Sequence, residues 1–145
     1  MEVRVKLKFT TPSLGNVRGE VLDKMLRDHE GDVIFLQSWW RAVLSYGAQA
    51  YNRFEKEIDL VQTDPKVKGE LSTYRRYWKP SEFKMHEAFL AGAEIEVRFC
   101  LPRAISPDEF KELMTLAGRY VGVSPYGHKQ DYGRFIVLSV EPVRG

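Results

Sequence analysis

The sequence predicts an α+β fold: a ferredoxin-like (split βαβ) antiparallel sheet with two main helices and a middle insertion, in a single domain over residues 1–145. Three observations lead there. Apolar residues alternate with charged ones at the start of the chain and again near residue 95, the period of two that half-buried strands show. Two stretches, 38–54 and 106–121, carry apolar residues at helical spacing. The resulting order is strand, helix, strand, strand, helix, strand. It closes as two split βαβ halves, and right-handed crossovers place both helices on one face of the sheet.

Taken in order, Val3, Val5, Leu7 and Phe9 alternate with Glu2, Arg4, Lys6 and Lys8 and predict the first strand, which Pro12 and Gly15 break. Val21, Leu22, Met25 and Leu26 predict a short helix that stops by Gly31. Gln37-Ser38 offers a cap for the long helix over 38–54, whose apolar face is Trp39, Trp40, Val43, Leu44, Ala48 and Tyr51. Ile58, Leu60 and Gln62 predict a second strand, ended by Thr63-Asp64-Pro65. From 67 to 78 cations and aromatics mix around Gly69, which reads as an irregular or hairpin insertion; 84–90 reads as a short strand or turn leading to Ala91-Gly92.

The signal then sharpens. Ile95, Val97, Phe99 and Leu101 alternate with Glu94, Glu96 and Arg98 and predict a strand over 93–101. Ser106 with Glu109 forms a capping box, and Pro107 sits at the favoured first helical position. Phe110, Leu113, Met114, Ala117 and Val121 continue that helix's apolar face. The last strand, 134–140, is apolar on both faces, which predicts a central place in the sheet.

Composition bounds the function. With 43% hydrophobic and 29% charged residues the chain is globular and large enough for a core of its own. No apolar run approaches the roughly 20 residues of a spanning helix, so no membrane role is expected. The alternating N-terminus lacks a signal peptide's apolar block, which predicts a cytoplasmic product. The lone Cys100 has no internal disulfide partner and is expected to be a buried, inert thiol. At a net charge of +2, any nucleic-acid surface has to be a local patch. Phosphate-binding and dinucleotide fingerprints follow a strand and open a helix; here the glycines precede a strand, and no cofactor or metal is expected.

Two patches carry chemistry. In the loop 122–133, backbone N–H groups around Gly122 and Gly127 can form an anion-binding concavity, with His128, Lys129 and Arg134 as cations and Gly133 shaping the turn. The same glycines equally suit a connection that needs positive φ. In Tyr74-Arg75-Arg76-Tyr77-Trp78-Lys79, rings can stack on unpaired bases while arginines meet phosphates. These residue types also make protein–protein hot spots, or bury one face in a core. Trp39 and Trp40 point about 100° apart on a helix, so core packing is expected for them. His29, beside Asp28, Glu30 and Asp32, lacks the spacing of a metal-binding helix and reads as part of a solvated acidic turn. His86-Glu87 carries no motif.

The second helix, the glycine-rich loop with Gly122 and Gly127, and the terminal strand opening Gly133-Arg134-Phe135 together resemble the RAMP superfamily. Those are the ferredoxin-like RNA-binding proteins and crRNA-processing ribonucleases of CRISPR systems. The opening Thr11-Pro12-Ser13-Leu14-Gly15 and the closing Gly-Arg-Phe are also similar to a group of small phage and prophage proteins. The likeness covers the last third and the first fifteen residues. Processing ribonucleases of the superfamily place a histidine opposite the loop; His29, His86 and His128 fall in no such motif, so the resemblance implies binding without catalysis.

The leading expectation is a non-catalytic, RAMP-like protein of phage origin that holds single-stranded nucleic acid, RNA ahead of DNA. Its groove would lie between the terminal loop and Arg75-Arg76, with Tyr74, Tyr77 and Trp78 stacking and His128, Lys129 and Arg134 on phosphates. The alternative is a phage interaction protein that binds and inhibits a host protein complex of defence or transcription. A third is a metal-independent ribonuclease with His128 or His29 as acid–base.

Overall fold

The computed structural model describes residues 1–126 and 131–143. In chain order the elements are β1 (Glu2–Phe9), β2 (Ser13–Leu14), β3 (Leu22–Asp23), α1 (Gln37–Tyr51), a 3-10 turn (Glu57–Leu60), β4 (Gln62–Gly69), β5 (Ser72–Lys79), β6 (Glu82–Phe89), β7 (Glu94–Cys100), α2 (Pro107–Tyr120) and β8 (Phe135–Pro142). The main sheet has the order β4-β7-β1-β8, antiparallel throughout. With β4, β7 and β8 as the second, third and fourth principal strands, this is the ferredoxin-like arrangement. The middle insertion, β5 and β6, builds a second sheet with β2 and β3 from the β1–α1 connection: β2 and β3 pair along one side of β6 and β5 along the other.

The alternation in β1 decides which face is buried. Val3, Val5, Leu7 and Phe9 point into a core with Trp40 and Leu44 of α1 and Phe110, Leu113 and Met114 of α2. Trp40 meets Phe99 edge-on at 5.2 Å and Phe135 at 6.4 Å, the packing expected of it. Lys6, Lys8 and Glu94 occupy the opposite face and are exposed; the insertion leaves that face open. It extends instead from one end of the sheet, where Phe9 of β1 stacks on Phe89 of β6 at 5.9 Å.

Helix α2 forms as its sequence dictates, with Ser106 Oγ accepting from the Glu109 amide (3.1 Å) and the Glu109 carboxylate accepting from the Ser106 amide (3.1 Å). These bonds, the Ser106 amide first, hold the Glu109 carboxyl below its ordinary value. Helix α1 starts at Gln37 without a side-chain cap and stops at Tyr51 because Asn52 turns left-handed, at φ 59°.

The expected Gln37-Ser38 cap is thus absent and the helix ends three residues short of 54; five further expectations differ. The segment 21–26 is extended, not helical: Val21 is 79% exposed, β3 pairs with β6, and the Glu87 carboxylate takes the Met25 amide. Four apolar residues at helical spacing do not outweigh such non-local partners. Residues 57–60 form a 3-10 turn with Ile58 buried and Leu60 exposed, and the second principal strand begins only at Gln62. Pro65 does not end it. As an edge strand, β4 absorbs Pro65 in a register shift between Asp64 and Lys68, and the Phe35 amide donates to the Pro65 carbonyl (2.9 Å). β8 is an edge strand, not a central one: Ile136 and Leu138 are 48% and 39% exposed. Finally, Cys100 is exposed, because it follows Glu94, Glu96 and Arg98 on the outward parity of β7.

Candidate nucleic-acid interface

The polypeptide between β1 and β2 and the loop leading to β8 are tied together strand-like. Thr10 donates its amide to the Arg134 carbonyl (2.8 Å), Gly133 to Pro12 (2.7 Å) and Tyr126 to Leu14 (3.1 Å). Side chains reinforce the seam: Thr11 Oγ1 accepts from the Arg134 amide (2.9 Å), Ser13 Oγ donates to the Val123 carbonyl (2.9 Å), and Ser124 Oγ accepts from the Leu14 amide (3.0 Å).

At the base of the loop Gly122 and Gly133 lie back to back. Both have positive φ (79° and 77°), and Val123 donates its amide to the Gly133 carbonyl (2.8 Å). A Cβ on Gly133 would stand 2.0 Å from the Val123 oxygen, and one on Gly122 2.5 Å from the Gly133 carbonyl carbon. These two glycines close the loop, and their amides serve the chain itself. Gly127, His128 and Lys129 lie outside the described residues.

That seam brings the loop against the β5–β6 hairpin. Tyr132 packs edge-on against Tyr74 (6.1 Å) and Tyr126 (5.6 Å), and Tyr126 edge-on against His86 (5.4 Å). The Arg76 guanidinium lies over the Tyr126 ring at 4.6 Å and over Trp78 at 5.5 Å. Trp78, 54% exposed, donates its indole N–H to Glu82 (2.6 Å). Tyr126 and Tyr132 of the loop and Tyr74, Arg76 and Trp78 of the hairpin therefore form one continuous aromatic surface.

Strand alternation divides the basic–aromatic stretch. Tyr74, Arg76 and Trp78 face the loop. Arg75 and Tyr77 point to the other side of the hairpin, where Phe83 packs against Tyr77 (5.3 Å) and lies under Arg75 (4.9 Å). Arg134 is occupied, donating to Asp131 of the loop (2.6 Å) and to the Arg119 carbonyl at the end of α2 (3.1 Å). Lys84, which pairs with Arg76 across the hairpin, is bound by Asp23 (3.3 Å) and the Gly19 carbonyl (3.2 Å).

His86, which the sequence offered no reason to choose, is fully buried beneath this surface. Its Nδ1 lies 2.7 Å from the Gly15 carbonyl and its Nε2 accepts from Arg76 Nε at 3.1 Å. A carbonyl only accepts and a guanidinium only donates, so Nδ1 carries the ring proton and Nε2 is left to accept. Tyr126 and Tyr132 were also missed as individual rings, although the loop that holds them was not. Burial pushes the Tyr132 phenol up, Tyr74 adds to this and Arg76 opposes it. His29, on the exposed turn, sits beside Glu30 (3.8 Å), while Lys66 clamps Glu30 and Asp32 (3.0 and 3.1 Å).

Trp39 lines a shallow apolar pocket of about 250 Å³ with Tyr46 and the stretch 121–125, behind the loop. No helix among the described residues is long and apolar enough to cross a membrane.

No family model matches the chain, and no curated protein matches its sequence. Among solved structures, 64 chains are similar to it. One is a chain in the cryo-EM structure of the Type III-B Cmr-beta bound to cognate target RNA, at a TM-score of 0.56 and 14% sequence identity. The match covers 97% of this chain and 59% of that one, so this protein spans less than two thirds of its neighbour's length. At this identity the likeness is one of fold.

Proposed function

We propose that this protein is a non-catalytic, RAMP-like binder of single-stranded RNA, and that Tyr74, Arg76, Trp78, Tyr126 and Tyr132 form the contact surface. One observation carries the reading: two stretches some 50 residues apart, each predicted independently to meet nucleic acid, pack into one half-exposed surface. Unpaired bases stack on such rings at about 1–3 kcal/mol each. The similar fold found in an RNA-bound assembly supports the reading. Gly122 and Gly133 shape the loop, while Gly127, His128 and Lys129 would add backbone and cationic contacts to phosphate.

The test is fluorescence anisotropy with single-stranded RNA and DNA at two salt concentrations. Tyr74→Ala/Tyr132→Ala is expected to weaken RNA binding by roughly tenfold or more, and Arg75→Ala/Tyr77→Ala to leave it nearly unchanged. The reverse pattern, or no binding at micromolar protein, overturns the assignment. A second reading is favoured by the exposed Tyr77 and Phe83 with Arg75 on the far side of the hairpin. A phage protein that inhibits a host complex would use this patch as its hot spot. Nuclease-resistant capture of one host complex, lost in Arg75→Ala/Tyr77→Ala, would establish it.

A further inference from the structure

The geometry around Arg76 assigns it a task more specific than charge neutralisation: we infer that Arg76 reads the O6/N7 edge of an unpaired guanine. The inference rests on the RNA-binding reading above. The Arg76 side chain is held on three sides. Its Nε–H is spent on His86 Nε2 (3.1 Å), and His86 is in turn locked by the Gly15 carbonyl (2.7 Å). One face of the guanidinium lies on Tyr126 (4.6 Å), and Trp78 lies 5.5 Å away. What remains is the terminal edge, where the two Nη groups accept no constraint: among the described residues neither makes a hydrogen bond or ion pair.

A planar guanidinium fixed in this way offers two parallel N–H donors and no acceptor. It matches a ligand with two coplanar acceptors. Guanine O6 and N7 are such a pair, whereas adenine places a donor, N6–H₂, where the fork needs an acceptor. A phosphate also offers two acceptors, but among the described residues the neighbouring cations Lys84 and Arg134 are already committed, to Asp23 and Asp131. A base coplanar with the guanidinium would instead extend the layer that Tyr126 and Trp78 already flank. In unpaired RNA that edge of the base is accessible. His86 is the positioning residue: it has no exposed surface and supports from below Arg76, which it bonds, and Tyr126, which packs on its edge.

The experiment is anisotropy with a short uridine-rich RNA carrying one central guanine, and with the same strand carrying adenine, inosine, or a deazaguanine in which C–H replaces N7. Guanine and inosine, which share O6 and N7, are expected to bind roughly tenfold more tightly than the other two. Arg76→Lys keeps the charge and loses the fork, and should bring all four to one affinity. His86→Phe should lower the guanine-to-adenine ratio while leaving adenine binding unchanged, a result that mere loss of structure does not give. Equal binding of all four strands by the wild-type protein overturns the inference and leaves RNA binding intact. A uniform loss on every strand in Arg76→Lys identifies a phosphate contact and overturns it too. Failure to bind any strand removes the reading on which it rests.

Discussion

Replacing Gly133 by alanine tests the loop's construction directly. Gly133 has φ 77°, a region that costs an L-residue about 1–2 kcal/mol. The new Cβ would also stand 2.0 Å from the Val123 carbonyl oxygen and 2.4 Å from its carbon, backbone atoms that cannot yield without moving the loop. Moving them sacrifices the Val123–Gly133 bond (2.8 Å) and the Gly133–Pro12 bond (2.7 Å), each worth about 1 kcal/mol. The expected loss is about 3–4 kcal/mol in total. Gly92 supplies the control: its φ is 91°, yet a Cβ there meets nothing within 4 Å, so Gly92→Ala should cost only the conformational term of about 1–2 kcal/mol. Urea unfolding followed by tryptophan fluorescence measures both, and the difference between the two variants isolates the back-to-back packing. Equal losses in Gly133→Ala and Gly92→Ala would refute the claim that close approach of the two chain segments, and not positive φ alone, demands glycine there.

Glu87 and Cys100 give further tests. Arg27 donates two bonds to the Glu87 carboxylate (2.7 and 2.8 Å) and holds its carboxyl below the ordinary value of 4.5. The stabilisation is therefore complete above that value and is lost as pH falls through the lower value of the folded state. Glu87→Gln should cost about 1.5–3 kcal/mol at neutral pH and progressively less in acid, read as the wild-type-minus-variant difference in unfolding free energy between pH 7 and pH 3. Exposed Cys100 should react fully with a thiol reagent in the native protein. Because it pairs with Glu2, the length of β1 (roughly 25 Å) from the aromatic surface, its modification should leave RNA affinity unchanged.

The parts of the fold that were legible are those whose causes are local. The capping box of Ser106 and Glu109, the alternation of 95–101 and the apolar stripe of α1 each act within a few residues, and the structure has them where the sequence puts them. What was not legible depends on partners elsewhere. The extended course of 21–26 is decided by β6 and Glu87, and the edge position of β8 by its having β1 as its one neighbour in the sheet. The exposed Ile136 and Leu138 look like core residues until the sheet order is known. The candidate site divides in the same way. Its rings and cations were visible as composition, but only the hydrogen bonds between the first loop and the last bring Tyr126 and Tyr132 to Tyr74 and Arg76. His86 became visible only when the hairpin register set it opposite Tyr74.

The seam between those two loops also sets a timetable. Ser13–Val123 and Thr11–Arg134 join residues 110 and 123 positions apart. Such long closures must meet the entropy of closing most of the chain before their bonds reward it. During synthesis the aromatic hairpin leaves the ribosome well before Tyr126 and Tyr132 do, and until they arrive Arg76 has Trp78 and no Tyr126 to lie on. The complete surface is thus a property of finished chains, and nascent or truncated ones present its halves apart.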